Sequence, residues 1–196
     1  MLNIKIKIKR FIWILPLIGG LLTLRAIFTP AAYYFESSGH LIFWMWGWYD
    51  RLGIWDYGMS KGFISDPLIL NIGTICTVLI IVGAFIFIVS SISVGFISRK
   101  GNRFTKIVLW IWFLCGILLI ITPIFWIAIV QIFPPFSPFP VGSDPPFNFW
   151  DVVFPGFALI APIITGALSC GTIILFKIIL LNHIRKQIKK FRKKKL

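Results

Sequence analysis

Acidic residues and histidines are scarce in this sequence: its 196 residues include six Asp and Glu and two His, against 20 Lys and Arg. None of the acids falls inside a long apolar segment, so no intramembrane carboxylate is available to relay protons. Glu36 and His40 stand four residues apart, but Gly39 disfavours the helix on which such a pair could bind a metal. We therefore expect no catalytic residue, no metal and no cofactor, and a protein that is not an enzyme.

Cysteine is also rare, with three in the chain. Cys76, Cys115 and Cys170 each lie in a different apolar segment, and the segments between have none. No disulfide can therefore connect the loops. A lone cysteine in an apolar segment is typical of a small packing residue.

Apolar residues make up 58% of the chain and the mean hydropathy is +0.92, beyond the roughly 45–50% of a soluble globular domain. Four segments (11–29, 68–96, 106–133 and 153–181) approach or exceed the approximately 20 residues that a membrane span needs. They predict an all-α membrane protein: a single-domain, four-helix transmembrane bundle with loops at 30–67 and 134–152 and a basic tail at 182–196. The first segment also resembles a signal peptide, which we expect to be retained as an anchor.

The distribution of charge predicts the orientation. Of the 20 Lys and Arg residues, all except Arg25, Arg51 and Lys61 flank the spans on one side, and all six acids fall on the other. Positive charge beside a span resists translocation. We therefore predict a multi-pass protein of the cell membrane, with cytoplasmic N- and C-termini and both larger loops outside.

The basic tail is predicted to bind lipid rather than nucleic acid. Its Ile184, Ile188 and Phe191 recur at helical spacing, so the tail can lie on the bilayer with its apolar face down. An anionic inner leaflet attracts basic residues in such a position. The residues expected to contact it are Arg185, Lys186, Lys189, Lys190 and Arg192.

Small residues recur every four positions in the last span, at Ala158, Pro162, Gly166 and Cys170, with a second row at Ala161, Thr165 and Ser169. Small residues at this spacing let helix backbones approach closely in lipid. The row could pack inside the protein's own bundle or contact another copy in a homo-oligomer. We expect the former, because four helices must pack on one another.

Aromatic residues dominate both external loops. Trp44, Trp46 and Trp48 alternate with other residues, which favours a strand, and 50–53 is a plausible turn before further alternation at 54–57. The loop thus predicts a small extracellular β-sheet, the alternative being an interfacial helix with an aromatic belt. The second loop contains six of the 12 prolines and is predicted to be extended.

The sequence Gly53-Ile54-Trp55 in the first loop resembles the Gly-Leu-Trp signature of the claudin and peripheral-myelin-protein tetraspan superfamily. Further similarities lie in the last two spans, at Lys106, Phe113, Gly116, Trp126 and 166–168. The cysteine pair of that family is absent. The resemblance implies a left-handed four-helix bundle with a small extracellular sheet, and a non-enzymatic role in cell contact, barrier formation or membrane organisation.

Exposed aromatic loops favour association. Our first hypothesis is a membrane scaffold or cell-contact protein that binds itself or other membrane proteins. The alternative is an accessory subunit of a larger membrane enzyme or respiratory complex. A channel is disfavoured because the interiors of the second and third spans carry no ionisable residue, and Arg25 and Lys177 lie near the ends of the other two. The candidate residues of the external module are Trp44, Trp46, Trp48, Gly53, Trp55, Tyr57, Phe136, Phe139 and Trp150.

Overall fold

The structure, a computed structural model, describes residues 13–36, 39–52, 60–64, 66–97, 102–133, 150 and 153–174. Within these ranges it is mostly helical, with α1 at Ile14–Ala26, α2 at Pro67–Ile97, α3 at Asn102–Ile132 and α4 at Phe157–Ile174. Helices α2, α3 and α4 are long and apolar enough to cross a membrane. The 13 residues of α1 extend about 20 Å, less than the hydrocarbon thickness of about 30 Å.

Each helix contacts the next one along the chain, and α4 also contacts α1. A Cβ added at Gly20 of α1 would lie 3.0 Å from the Ala84 carbonyl oxygen of α2. The Trp112 indole of α3 donates to Ser90 of α2 over 2.7 Å. Gly95, near the end of α2, lies against Trp13 at the start of α1. Trp112, early in α3, meets Ser90 late in α2 and Ser169 late in α4. Neighbouring helices are therefore antiparallel.

A small antiparallel sheet lies at one end of the helices. Its strands are β1 (Ala32–Glu36), β2 (Gly39–Phe43), β3 (Trp48–Leu52), β4 (Ser60–Phe63) and β5 (Phe154–Pro155), in the order β4-β3-β2-β1-β5. The first four come from the segment between α1 and α2, and β5 immediately precedes α4. The prediction of a small sheet in the first loop is confirmed, and the interfacial helix is not found there in the described residues.

The predicted turn at residues 50–53 is wrong, because Asp50, Arg51 and Leu52 belong to β3. The chain turns instead at 44–47, where the Gly47 N–H donates to the Trp44 carbonyl oxygen over 2.9 Å. Gly47 has a φ of 94°, which glycine adopts without the steric cost that a side chain would add. Trp44 and Trp46 therefore lie in a turn, and the strand predicted across them is interrupted.

The last predicted span begins later than expected, whereas the third does not. The apolar span within α3 begins at Lys106, as predicted, and the helix itself starts one turn earlier, at Asn102. Helix α4 begins at Phe157, four residues after the predicted start, because Phe154 and Pro155 pair with β1. Pro155 lacks an N–H and is tolerated in this position because β5 is an edge strand.

The inner face of the sheet packs against the helix ends. Leu41, Phe43 and Met45 are buried there, and the Phe43 ring stacks on Trp126 of α3 with ring centroids 5.5 Å apart. The Met45 carbonyl oxygen lies directly against Gly73 of α2. Sheet and helices thus share one continuous apolar core.

Candidate functional site

The outer face of the sheet is the candidate functional site. Strand side chains alternate between faces, so the burial of Leu41 and Phe43 places His40 and Ile42 on the opposite, outer side. The strand register puts one row of neighbouring residues across that face, in the order Phe154, Tyr33, Ile42, Asp50 and Lys61. Its ring contacts define two aromatic groups.

The first group, named the outer patch, comprises Tyr33, Phe35, His40, Leu52 and Phe154. Tyr33 is its centre, with ring centroids 5.7 Å from Phe35 and 6.1 Å from Phe154. Phe35 and Phe154 are each 62% exposed. So much exposed apolar surface on neighbouring side chains is typical of an association surface.

The second group, named the aromatic row, comprises Trp44, Trp46, Trp48 and Phe63. Successive ring centroids lie 6.4, 6.2 and 5.2 Å apart, and Trp48 and Phe63 meet edge to face. The Trp44 indole N–H donates to the Phe28 carbonyl oxygen over 3.3 Å, just beyond the end of α1. The row therefore extends from the end of α1 to the end of β4.

A charged group lies at the middle of the outer face. The Asp50 carboxylate is 2.9 Å from Lys61 Nζ and 3.6 Å from His40 Nε2. Asp50 is largely covered, whereas the Lys61 side chain is half exposed. An ion pair with one half-exposed partner adds about 0–1 kcal/mol to stability. In the part of the chain that the structure describes, no three potential metal ligands come together.

The predicted module residues do not all share this face. Trp44, Trp46 and Trp48 belong to the aromatic row. Trp150 packs inward, with its indole N–H donating to the Ile127 carbonyl oxygen over 3.1 Å and its ring 6.2 Å from Trp126. Outside the described residues lie Gly53, Trp55, Tyr57, Phe136 and Phe139, and the predicted lipid contacts Arg185, Lys186, Lys189, Lys190 and Arg192.

The small residues of α4 face other helices of the same chain. Ala158 and Pro162 are buried, and Gly166 and Cys170 lie against Gly116 of α3. In the second row, the Thr165 hydroxyl donates to the Gly19 carbonyl oxygen of α1 over 3.0 Å, and Ser169 donates to the Trp112 carbonyl oxygen over 3.1 Å.

The sequence analysis missed four aromatic members of the outer face: Tyr33, Phe35, Phe63 and Phe154. A signal for the first two was available, because Tyr33-Tyr34-Phe35 is a run of strand-favouring residues three positions after Pro30. Phe154 carried no such signal, since it precedes an apolar helix and joins the sheet only through pairing with β1.

No model of a known protein family matches this sequence, and a search of curated proteins finds no match. The arguments about function therefore depend on the chain's own residues and geometry.

Proposed function

We propose that this protein is a non-enzymatic membrane scaffold that associates with a second copy of itself, or with another membrane protein, through the outer patch. The observation that carries the proposal is the exposure of Phe35 and Phe154 on either side of Tyr33. Burying such rings on association removes apolar surface from water, at roughly 25 cal/mol per Å². In the described part of the sheet, this exposure is found together only where β1, from the segment 30–67, pairs with β5, which follows the segment 134–152.

In the proposed topology the four predicted spans cross the membrane as a bundle, with the sheet outside and both termini in the cytoplasm. The first span is the whole segment 11–29, which is longer than α1. The charge pattern supports this orientation, because Asp50 and Asp66 lie at the sheet end whereas Lys106 lies near the opposite end. The antiparallel helix contacts support it too, since they bring both external segments to one end. Kinship with the claudin and peripheral-myelin-protein superfamily remains a prediction; its motif at Gly53 lies outside the described residues.

The test is purification of the full chain from its native membrane in mild detergent, with subunits counted by mass spectrometry. Recovery as a homo-oligomer, or with one membrane partner, is the expected result. The F35S and F154S variants should then lose at least half of that association, because each removes an exposed ring from the outer patch. K61S, an exposed substitution on the same face, is the matched control and should leave association unchanged.

Two results would contradict the proposal. A protein that stays monomeric at every concentration, with no partner recovered, has no use for the outer patch in association. Recovery with several different chains at fixed ratio would instead identify an accessory subunit of a larger membrane complex, especially if F35S left that assembly intact.

A further inference from the structure

The aromatic row differs from Phe35 of the outer patch in its position relative to the helices. The turn that carries Trp44 and Trp46 contacts α2 through two glycines: Gly47 lies against Leu70, and Gly73 lies against the Met45 carbonyl oxygen. The row is therefore held beside the first turns of α2. Phe35, in contrast, lies three residues further along β1 than Ala32. It is therefore about 10 Å further from that turn than Ala32 is.

The depth of the row follows from the length of α3. Lys106, the last basic residue before the apolar part of α3, precedes Trp126 by about 20 residues, which is about 30 Å of helix and equals the hydrocarbon thickness. With Lys106 at the inner boundary, Trp126 lies at the outer one. Phe43 stacks on Trp126, so the next residue, Trp44, and the row that it begins lie at that boundary or just beyond it.

The chemistry of the row fits this depth. It consists of three indoles and one phenyl ring without a charged member. Two further exposed apolar side chains belong to the adjoining helix ends: Phe28, just after α1, is 83% exposed and Leu68, in the first turn of α2, is 48% exposed. Indole rings concentrate where headgroups meet acyl chains, since they are apolar with one polar N–H. The Trp44 N–H already has its acceptor in Phe28, so burying this ring in lipid leaves no donor unpaired.

We propose that the aromatic row inserts into the headgroup–acyl boundary of the membrane crossed by α2 and α3, and thereby fixes the sheet against the membrane surface. The inference depends on the membrane-spanning part of the proposed function and is independent of the association. Its partner is lipid. The row and the outer patch then divide one sheet face between bilayer and protein.

The test uses the full chain with Cys76, Cys115 and Cys170 replaced by alanine, reconstituted at high lipid ratio in vesicles of phosphatidylcholine and phosphatidylglycerol. A nitroxide is attached at F63C in the row, at F35C in the outer patch or at V82C on the exposed side of α2. Its collision rates with oxygen, which enriches in lipid, and with a water-soluble nickel chelate are then compared by electron paramagnetic resonance.

The expected oxygen-to-nickel ratio at F63C lies between those of the other two labels and exceeds that at F35C by about twofold or more, as for an aromatic belt position. Equal ratios at F63C and F35C would overturn the proposal. Poor access of both reagents to F63C, together with spin–spin broadening, would also overturn the proposal. That result would mean that a second copy of the protein covers the row. A water-like ratio at V82C would refute the membrane-spanning topology itself.

If F63C does not fold, the nearly native W46F variant provides a second measurement. The fluorescence of the unaltered protein minus that of W46F reports Trp46 together with Trp44 and Trp48, because excitation transfers between indoles whose ring centroids lie 6.4 and 6.2 Å apart. Lipids brominated near the headgroup should quench this difference more strongly than lipids brominated near the chain end. If neither lipid quenches this difference, Trp46 lies away from the bilayer and the proposal is overturned.

Discussion

Gly116 of α3 and Gly166 of α4 bring the backbones of their helices into direct contact. A Cβ added at Gly116 would lie 3.1 Å from the Gly166 carbonyl oxygen, and one added at Gly166 would overlap the Gly116 carbonyl oxygen. Close backbone approach of this kind increases the dispersion contacts that associate helices in lipid. It also explains why a residue as unfavourable to helices as glycine stands in the middle of both.

Gly166→Ala is expected to destabilise the protein by about 1–3 kcal/mol, because the added methyl meets backbone that can move only with its helix. Gly171→Ala, five residues further along α4, is the matched control, since a Cβ there meets nothing within 4 Å. Resistance to SDS unfolding in mixed micelles measures both variants. Equal stability of the two would contradict the close crossing of α3 and α4.

Gly47→Ala is expected to destabilise the sheet by about 1–2 kcal/mol, because the positive φ at Gly47 disfavours a side chain, and to disturb the contact with Leu70. Gly62→Ala in β4 is the control: its Cβ would enter open space. Hydrogen exchange of the β2 and β3 amides should accelerate in the first variant only. Unchanged exchange in Gly47→Ala would refute the turn at 44–47.

The hydroxyl of Thr165 connects α4 to α1 by two hydrogen bonds, accepting from Thr23 over 2.9 Å and donating to the Gly19 carbonyl oxygen over 3.0 Å. Thr165→Val should destabilise the protein by about 1 kcal/mol, in the range of hydrogen bonds between membrane helices, and Thr23→Val by less. In a double-mutant cycle the two losses should not add. The control is Thr74→Val, because the Thr74 hydroxyl bonds only within α2. A loss of stability in Thr74→Val as large as that in Thr165→Val would contradict the hydrogen bonds between α4 and α1.

Ser90→Ala removes the acceptor of the buried Trp112 indole N–H and is expected to destabilise the contact between α2 and α3 by about 1–3 kcal/mol. When Trp112→Phe is added, the total loss should be smaller than the sum of the two single losses, because the second substitution removes the donor that the first leaves unpaired. Ser93→Ala, one turn further, is the control, since its hydroxyl bonds within its own helix. Thermal unfolding in detergent measures all variants, and fully additive losses would argue against the hydrogen bond.

The position of the sheet's turn shows where pattern reading fails. Alternation of Trp44, Trp46 and Trp48 predicted one strand, yet two of these residues lie in a turn. The local sequence permits both conformations, because aromatic residues suit strands and Gly47 suits a turn. Contact of Gly47 with Leu70, 23 residues later, is compatible only with the turn.

The sequence by itself determined the apolar helices, the charge asymmetry and the existence of strands. Each depends on properties of short segments: about 20 apolar residues for a span, basic residues beside it, and aromatic residues suited to a pleated surface. These signals can be recognised without knowing which residues pack against the segment. They also sufficed to predict small residues at helix contacts in α4, though not the helices that those residues would face.

Only the tertiary structure decided which aromatic residues are exposed and which lie in the core. Trp150 points inward because Ile127 supplies a backbone acceptor, and β5 forms because β1, more than a hundred residues earlier in the chain, offers an edge. The division of the exposed aromatic residues into the outer patch and the aromatic row likewise depends on which strands pair. Contacts of this kind join residues far apart in the chain, so the composition of a short segment does not predict them.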